Sequence, residues 1–311
     1  MRKIYSVILL LLASWSACFA QESKLNPVLR LPVDTAFITR EYSAAAVNYS
    51  ISQDKYAPVL NAFIGPPKDI TTFVENLNDP ALINDVLIIS ALTGVLNVAD
   101  HNAYRNTRKY YFQNDDFHQA AGTFVNMGDG KYHLYAAGLF LSSGWLFNDS
   151  RLIKTAGNVV ESMFASGLMV QILKRISGRE SPIASSMPSG RWRTFPRLAA
   201  YQKNQAKYYA FPSGHMTTTI STVTVLANNF PEYVWLRPAG YLVSAAVASG
   251  LVAKGMHWYS DFPLAVALGY SFGNIIAPIS KLTAGETASK ITIAPLYHRQ
   301  EVGIQISYAM K

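Results

Sequence analysis

Phe211-Pro212-Ser213-Gly214-His215-Met216-Thr217 is the stretch on which the fold reading turns. Proline closes the preceding loop, and Ser213 carries the short hydroxyl that caps a helix by accepting a backbone N–H. The run that follows is apolar and rich in threonine, and Phe230-Pro231 bounds it, which predicts a helix over 213–229. Unpaired N–H groups at such a start, with the helix dipole behind them, suit an anion. A histidine in that first turn stands where it can give the anion a proton. Alone, the string fits equally well an ordinary cap with a surface histidine beside it.

A second string, Gly255-Met256-His257-Trp258-Tyr259-Ser260-Asp261, ends the next apolar segment. His257 and Asp261 are four residues apart and share one face if the helix persists there. A carboxylate bonded to one ring N–H fixes the imidazole tautomer and leaves the other nitrogen free as nucleophile or base. A third string, Lys174-Arg175-Ile176-Ser177-Gly178-Arg179-Glu180-Ser181-Pro182, ends a long apolar segment. Basic residues in a last turn also simply complement the helix dipole, so this string carries no function by itself.

Working outward, residues 84–99, 133–147, 151–176, 239–259 and 262–279 read as further apolar helices. The fold class is therefore all-α, a helical bundle over 81–281. Several of the runs are only about 15–18 residues and are interrupted by Asn, Ser or Glu, which favours core helices over membrane spans. Residues 177–212 form a connection long enough to be functional. Pro27, Pro32, Pro58, Pro66, Pro67 and Pro80 predict an irregular region over 21–80. In the tail, 282–311, the segments at 291–294 and 302–308 alternate with period two, as a short β-hairpin does.

Arg2 and Lys3, an apolar run to about Ala13 and small residues to Ala20 have the layout of a secretory signal over 1–20. The expectation is an exported, periplasmic protein, with association at a membrane surface as a further option. Cys18 is the one cysteine and lies inside that segment, so a mature chain would have neither disulfides nor thiolate chemistry. Half of the 311 residues are hydrophobic, 15% are charged and the formal net charge is +8. That balance suits anionic substrates or membrane surfaces. A Walker loop, a Gly-x-Ser-x-Gly elbow at Ser213 and a zinc-type His/Cys cluster are all missing, and no feature points to nucleic acid. His101, His118, His133 and His298 are scattered and read as structural or surface residues.

In combination the strings say more. A basic string, then Pro-Ser-Gly-His, then His-x-x-x-Asp, each bordering an apolar helix, resembles the type 2 phosphatidic acid phosphatase superfamily over about residues 130–280. That group includes lipid phosphatases, class A acid phosphatases and vanadium haloperoxidases. The resemblance implies a helical bundle in which His257 is the nucleophile that forms a phosphohistidine, Asp261 orients it, and His215 is the general acid. It further implies that Lys174, Ser213 and Gly214 bind phosphate. The substrate would be a phosphorylated lipid or a small phosphomonoester, with no metal and no cofactor, and vanadate would act as a phosphate mimic.

Two departures from the family pattern stand out. The arginine of the first motif is replaced in Ser181-Pro182, and the Ser-Arg pair of the third motif is replaced by Gly250 and Leu251. Arginine binds two phosphate oxygens at once, which lysine cannot do. Arg179 and Lys254 are the nearby cations expected to stand in for the missing charge. Two other readings stay open: a non-catalytic binder of phosphate or anionic lipid, and a vanadium-dependent haloperoxidase.

Overall fold

A computed structural model describes residues 57–79, 81–279, 291–298 and 301–308. Expectations for residues 1–56, and for the tail outside the two strands, lie outside the described residues. The helices are α1 (Ala57–Ile64), α2 (Pro66–Asn76), α3 (Ala81–Gln113), α4 (Asp115–Met127), α5 (Gly130–Leu146) and α6 (Ser150–Ser177). After a connection with short helical turns come α7 (Leu198–Lys203), α8 (Gly214–Asn229), α9 (Leu236–Ala253) and α10 (Phe262–Ile276). Two antiparallel strands follow, β1 (Ile291–His298) and β2 (Glu301–Tyr308), with Ile291 opposite Tyr308. The fold is all-α.

Helix α8 is the axis of the bundle, with α6, α9 and α10 packed around it. Its contact with α10 is close because Gly269 presents no side chain: a Cβ there would lie 2.5 Å from the carbonyl of Thr217. Met216, Ile220, Val247, Leu251, Val252, Phe262 and Ala265 make the core between α8, α9 and α10. Val170, Met169 and Ala165 of α6 join Leu268 and Phe272 of α10 in a second cluster.

Three sequence expectations need correction. Residues 57–76 are not irregular, because Pro66 and Pro67 occupy the first turn of α2. Proline costs nothing at a helix start, where its missing N–H has no partner to lose. The helix expected over 239–259 stops at Ala253, and Gly255 turns the chain with φ +70°. The apolar runs also understate the helices. α3 has 33 residues, so it is about 50 Å long at 1.5 Å per residue.

Three helices among the described residues are long and apolar enough to cross a membrane: Asn84–Gln113 of α3, Ser150–Ser177 of α6 and Leu236–Ala253 of α9. Their outer faces are apolar too. Leu87, Leu92, Val95 and Val98 of α3, Phe164 and Leu168 of α6 and Leu242 of α9 are all exposed. Exposed apolar side chains along helices of this length suit contact with lipid or protein. These helices fit membrane association.

Candidate functional site

The site lies where α6 and α9 end and α8 and α10 begin. Ser213 is the N-cap of α8 and its hydroxyl accepts the N–H of Met216 at 3.4 Å. Its own N–H donates to the carbonyl of Asp261 at 3.2 Å, which ties the two histidine strings together. Ser213 is fully buried, and among the described residues its hydroxyl donates no hydrogen bond. Gly214 and His215 open the first turn, where N–H groups have no helical partner.

His257 is not on a helix. It sits in the short segment after Gly255, and a 3-10 turn, Tyr259–Asp261, brings Asp261 back to it. The spacing of four therefore works through a turn, not through a shared helix face. Asp261 Oδ2 faces His257 Nδ1 at 3.3 Å and accepts the N–H of Trp258 at 2.7 Å. The His215 and His257 rings stand 6.5 Å apart at 67°. Structure and sequence agree on these three residues as neighbours.

The cations divide. Lys174 is buried at the end of α6, donates to the carbonyl of Tyr209 at 2.5 Å, and its charge acts on both histidines. Arg179, expected to help bind phosphate, is held inside the protein, and its Nε has no hydrogen-bond partner among the described residues. It is fully buried, and both Nη groups are spent within the protein. Nη1 donates to Asp261 Oδ1 at 2.5 Å and Ser260 Oγ at 2.7 Å. Nη2 donates to Asp100 Oδ2 at 2.8 Å and the Ser189 carbonyl at 2.7 Å. Two indoles enclose it, Trp192 at 4.7 Å and Trp258 at 5.6 Å.

Lys254, the other cation expected to stand in, caps α9 at its C-terminal end. Its Nζ lies beside Gly122 of α4, six residues before Gly128, whose Cβ position is 3.1 Å from His215 Cβ. Six helical residues separate the two points by about 9 Å. The positions where the family carries arginines are closed to solvent. Ser181 is buried and bonded to the Ala206 carbonyl at 3.0 Å, and Leu251 belongs to the core.

Burial lowers His257, the Asp261 hydrogen bond opposes that, and the Lys174 charge adds to it; the net direction is down. The ring is therefore held neutral, as a nucleophile must be. His215 is pulled to about 4, first by burial, then by the facing His257 and Lys174, with Asp129 opposing. Without a ligand its ring carries no proton to give at neutral pH. An anion between the rings would reverse the sign of the local charge and restore one.

Sequence reading missed two carboxylates. Asp100 ends the apolar run of α3 and is completely buried against Arg179 and Ser260. Asp129, between α4 and α5, is close enough for its charge to act on His215. A carboxylate closing an apolar run was the available signal for Asp100.

Residues 155–282 match the family model of the PAP2 superfamily. No curated protein and no solved structure matches this chain. The matched segment begins in α6, runs past α10, and contains His215, His257, Asp261, Lys174 and Arg179, while Asp100 and Asp129 fall before it. Over this segment the chain is similar to the PAP2 superfamily, a group with phosphatase-type and haloperoxidase-related activities.

Proposed function

We propose that the protein is a membrane-associated, metal-independent phosphatase that hydrolyses a lipid phosphate through a phosphohistidine. The observation that carries this reading is the pair of facing rings, one bonded to a carboxylate and one at a helix start beside Lys174. With Nδ1 turned to Asp261, His257 attacks phosphorus through Nε2. The N–P bond forms as the ester P–O bond breaks, and His215 gives its proton to the departing oxygen. Water then attacks phosphorus and the N–P bond breaks. The water's proton passes to His215 and phosphate leaves. Lys174 and the N–H groups of Gly214 and His215, with the Ser213 hydroxyl, offset the charge on the phosphoryl oxygens.

A lipid substrate is favoured by the surroundings. A cavity of about 640 Å³ is lined almost wholly by apolar side chains, among them Met169, Leu173, Ile220 and Leu268. Met216 and Phe262, which follow His215 and Asp261 in the chain, form part of its wall. Apolar helix faces open to lipid complete the setting. The N-terminal residues suit export, with the site at the periplasmic face.

The test is phosphate release from lipid and soluble phosphomonoesters in detergent micelles containing EDTA. Acid-labile phosphate should be trapped on the unmodified protein, and His257→Ala should lose both trapping and turnover. Undiminished turnover in that variant would refute the mechanism. Equal kcat/KM on soluble and lipid esters would refute the lipid assignment alone. Vanadate should inhibit as a competitor of phosphate.

A further inference from the structure

Asp261 shares its guanidinium. One Arg179 Nη bonds Asp261 Oδ1 and the other bonds Asp100 Oδ2, and all three side chains are completely buried. Ser260 Oγ lies between them, accepting from Arg179 at 2.7 Å and donating to Asp100 Oδ2 at 2.5 Å. The Ser260 N–H donates to Asp100 Oδ1 at 3.1 Å. Asp100 therefore grips the same 3-10 turn that carries Asp261, by a backbone and a side-chain bond together. Ser189 adds a brace, its carbonyl accepting from Arg179 and its hydroxyl donating to the Asn97 carbonyl of α3 at 2.8 Å.

The charges sum in a particular way. With both carboxylates ionised, Asp100 and Asp261 bring two negative charges and Arg179 one positive, so one negative charge remains for His257. Were Arg179 paired with Asp261 alone, that pair would be neutral, and the carboxylate would draw weakly on the Nδ1 proton. A basic carboxylate partner is what makes an imidazole a better nucleophile. In a buried site such charges are little screened.

We propose that Asp100 is a positioning residue for the reaction: through Arg179 and Ser260 it keeps the Asp261 carboxylate oriented and available to His257. This rests on His257 being the nucleophile. It also assigns α3, which lies before the PAP2-matched segment, a part in the active site. The other groups facing His257 are Lys174 from α6, Tyr209 from the connecting segment and His215 from α8, and behind His215 stand Asp129 and His133. None of these changes when Asp100 is substituted.

The experiment is the pH dependence of kcat/KM for an aryl phosphate, with Asp100→Asn beside the unmodified protein. Asparagine keeps the shape and removes the charge. With Asp100 neutral, Arg179 quenches Asp261, the His257 imidazolium is less stabilised, and the acidic limb should move down by about half to one pH unit. kcat should fall by about 10-fold with KM little changed. A merely structural role would lower the active fraction at every pH and leave the limb in place. An unmoved limb, with the active fraction counted by phosphohistidine trapping, overturns the proposal. If Asp100→Asn does not fold, Asp100→Glu decides, since it retains the charge. The limb must then stay put while kcat falls, and a downward shift would overturn the idea. The underlying phosphatase reading fails separately, through His257→Ala.

Discussion

The two histidines face each other across one gap, yet they are held in opposite ways. His257 is tied at Nδ1 to Asp261, which is tied to Trp258 and Arg179, which is tied to Asp100 on α3. Among the described residues the His215 ring makes no hydrogen bond. It is placed by helix α8 and by packing against Gly128. The difference follows from what each ring has to do. A nucleophile needs one tautomer and one line of attack, and only bonds to a fixed acceptor supply both. An acid has to follow a leaving oxygen and take up its proton when substrate arrives, which a bonded ring does poorly.

The largest break in this comparison should come from the bonded arm. Asp261→Asn keeps the volume but turns a carboxylate into an amide, which can leave the Nδ1 proton unaccepted and select the wrong tautomer. A loss on the order of 10⁴-fold in kcat is expected, by analogy with carboxylate-to-amide changes in other histidine-based sites. The loss should be alike for aryl and lipid phosphates, because bond formation to phosphorus is what fails. Strong dependence on the leaving group would break the assignment of Asp261 to the nucleophile.

His215→Asn is the next step down, and its signature is selectivity. General acid help is worth about 10²–10⁴-fold, so turnover of a lipid phosphate should drop by that amount. An aryl phosphate, whose leaving group needs little protonation, should lose far less. The pH dependence sharpens the point. Since free His215 is held near 4, the productive proton arrives on the substrate monoanion. kcat/KM for the lipid ester should therefore fall as pH rises through the second phosphate ionisation, near pH 6. In His215→Asn that fall should flatten. A profile unchanged in the variant would mean the acid is elsewhere.

How much of this was legible in the sequence depends on the range of the interaction. The helix start at Ser213 is a local signal, since cap, glycine and proline act within a few residues, and the structure has the cap where the string put it. The His257–Asp261 pairing was legible as a spacing, although the means were misread, because Gly255 ends the helix and a 3-10 turn replaces it. The fate of Arg179 was not legible. Its partner Asp100 is 79 positions away, and nothing in the local string says that two buried carboxylates and two indoles will claim it. The place of Lys254 was not legible either, since it caps α9 with its ammonium beside Gly122 of α4, a contact between distant positions. The apolar runs concealed the long helices, since the polar half of α3 continues a helix whose first half faces outward. Pro66 and Pro67 were read as breakers when they are starters, a distinction that rests on which residues follow them.

The smallest effect is the most specific to the packed arm. Gly128 has φ −92°, so alanine meets no backbone strain there. Its Cβ, however, would lie 2.7 Å from Val247 Cγ1, 3.1 Å from His215 Cβ and 3.4 Å from Thr219 Oγ1. Overpacking of this kind costs about 1–3 kcal/mol and is relieved by moving whatever is least firmly bonded. Val247 is in the core and Thr219 is held through its hydroxyl bond to the His215 carbonyl at 2.8 Å, so the His215 ring should yield. A displacement of a few tenths of an ångström should lower lipid phosphate turnover by about 3- to 10-fold, since a full 1 Å error can cost about 10²-fold. Aryl phosphate turnover and phosphohistidine trapping at His257 should stay within about 2-fold of the unmodified protein, because general acid help is not what limits them. Were trapping to fall in step with lipid turnover, the push would have reached the bonded arm. The two histidines would then move together, and the contrast between them would not hold.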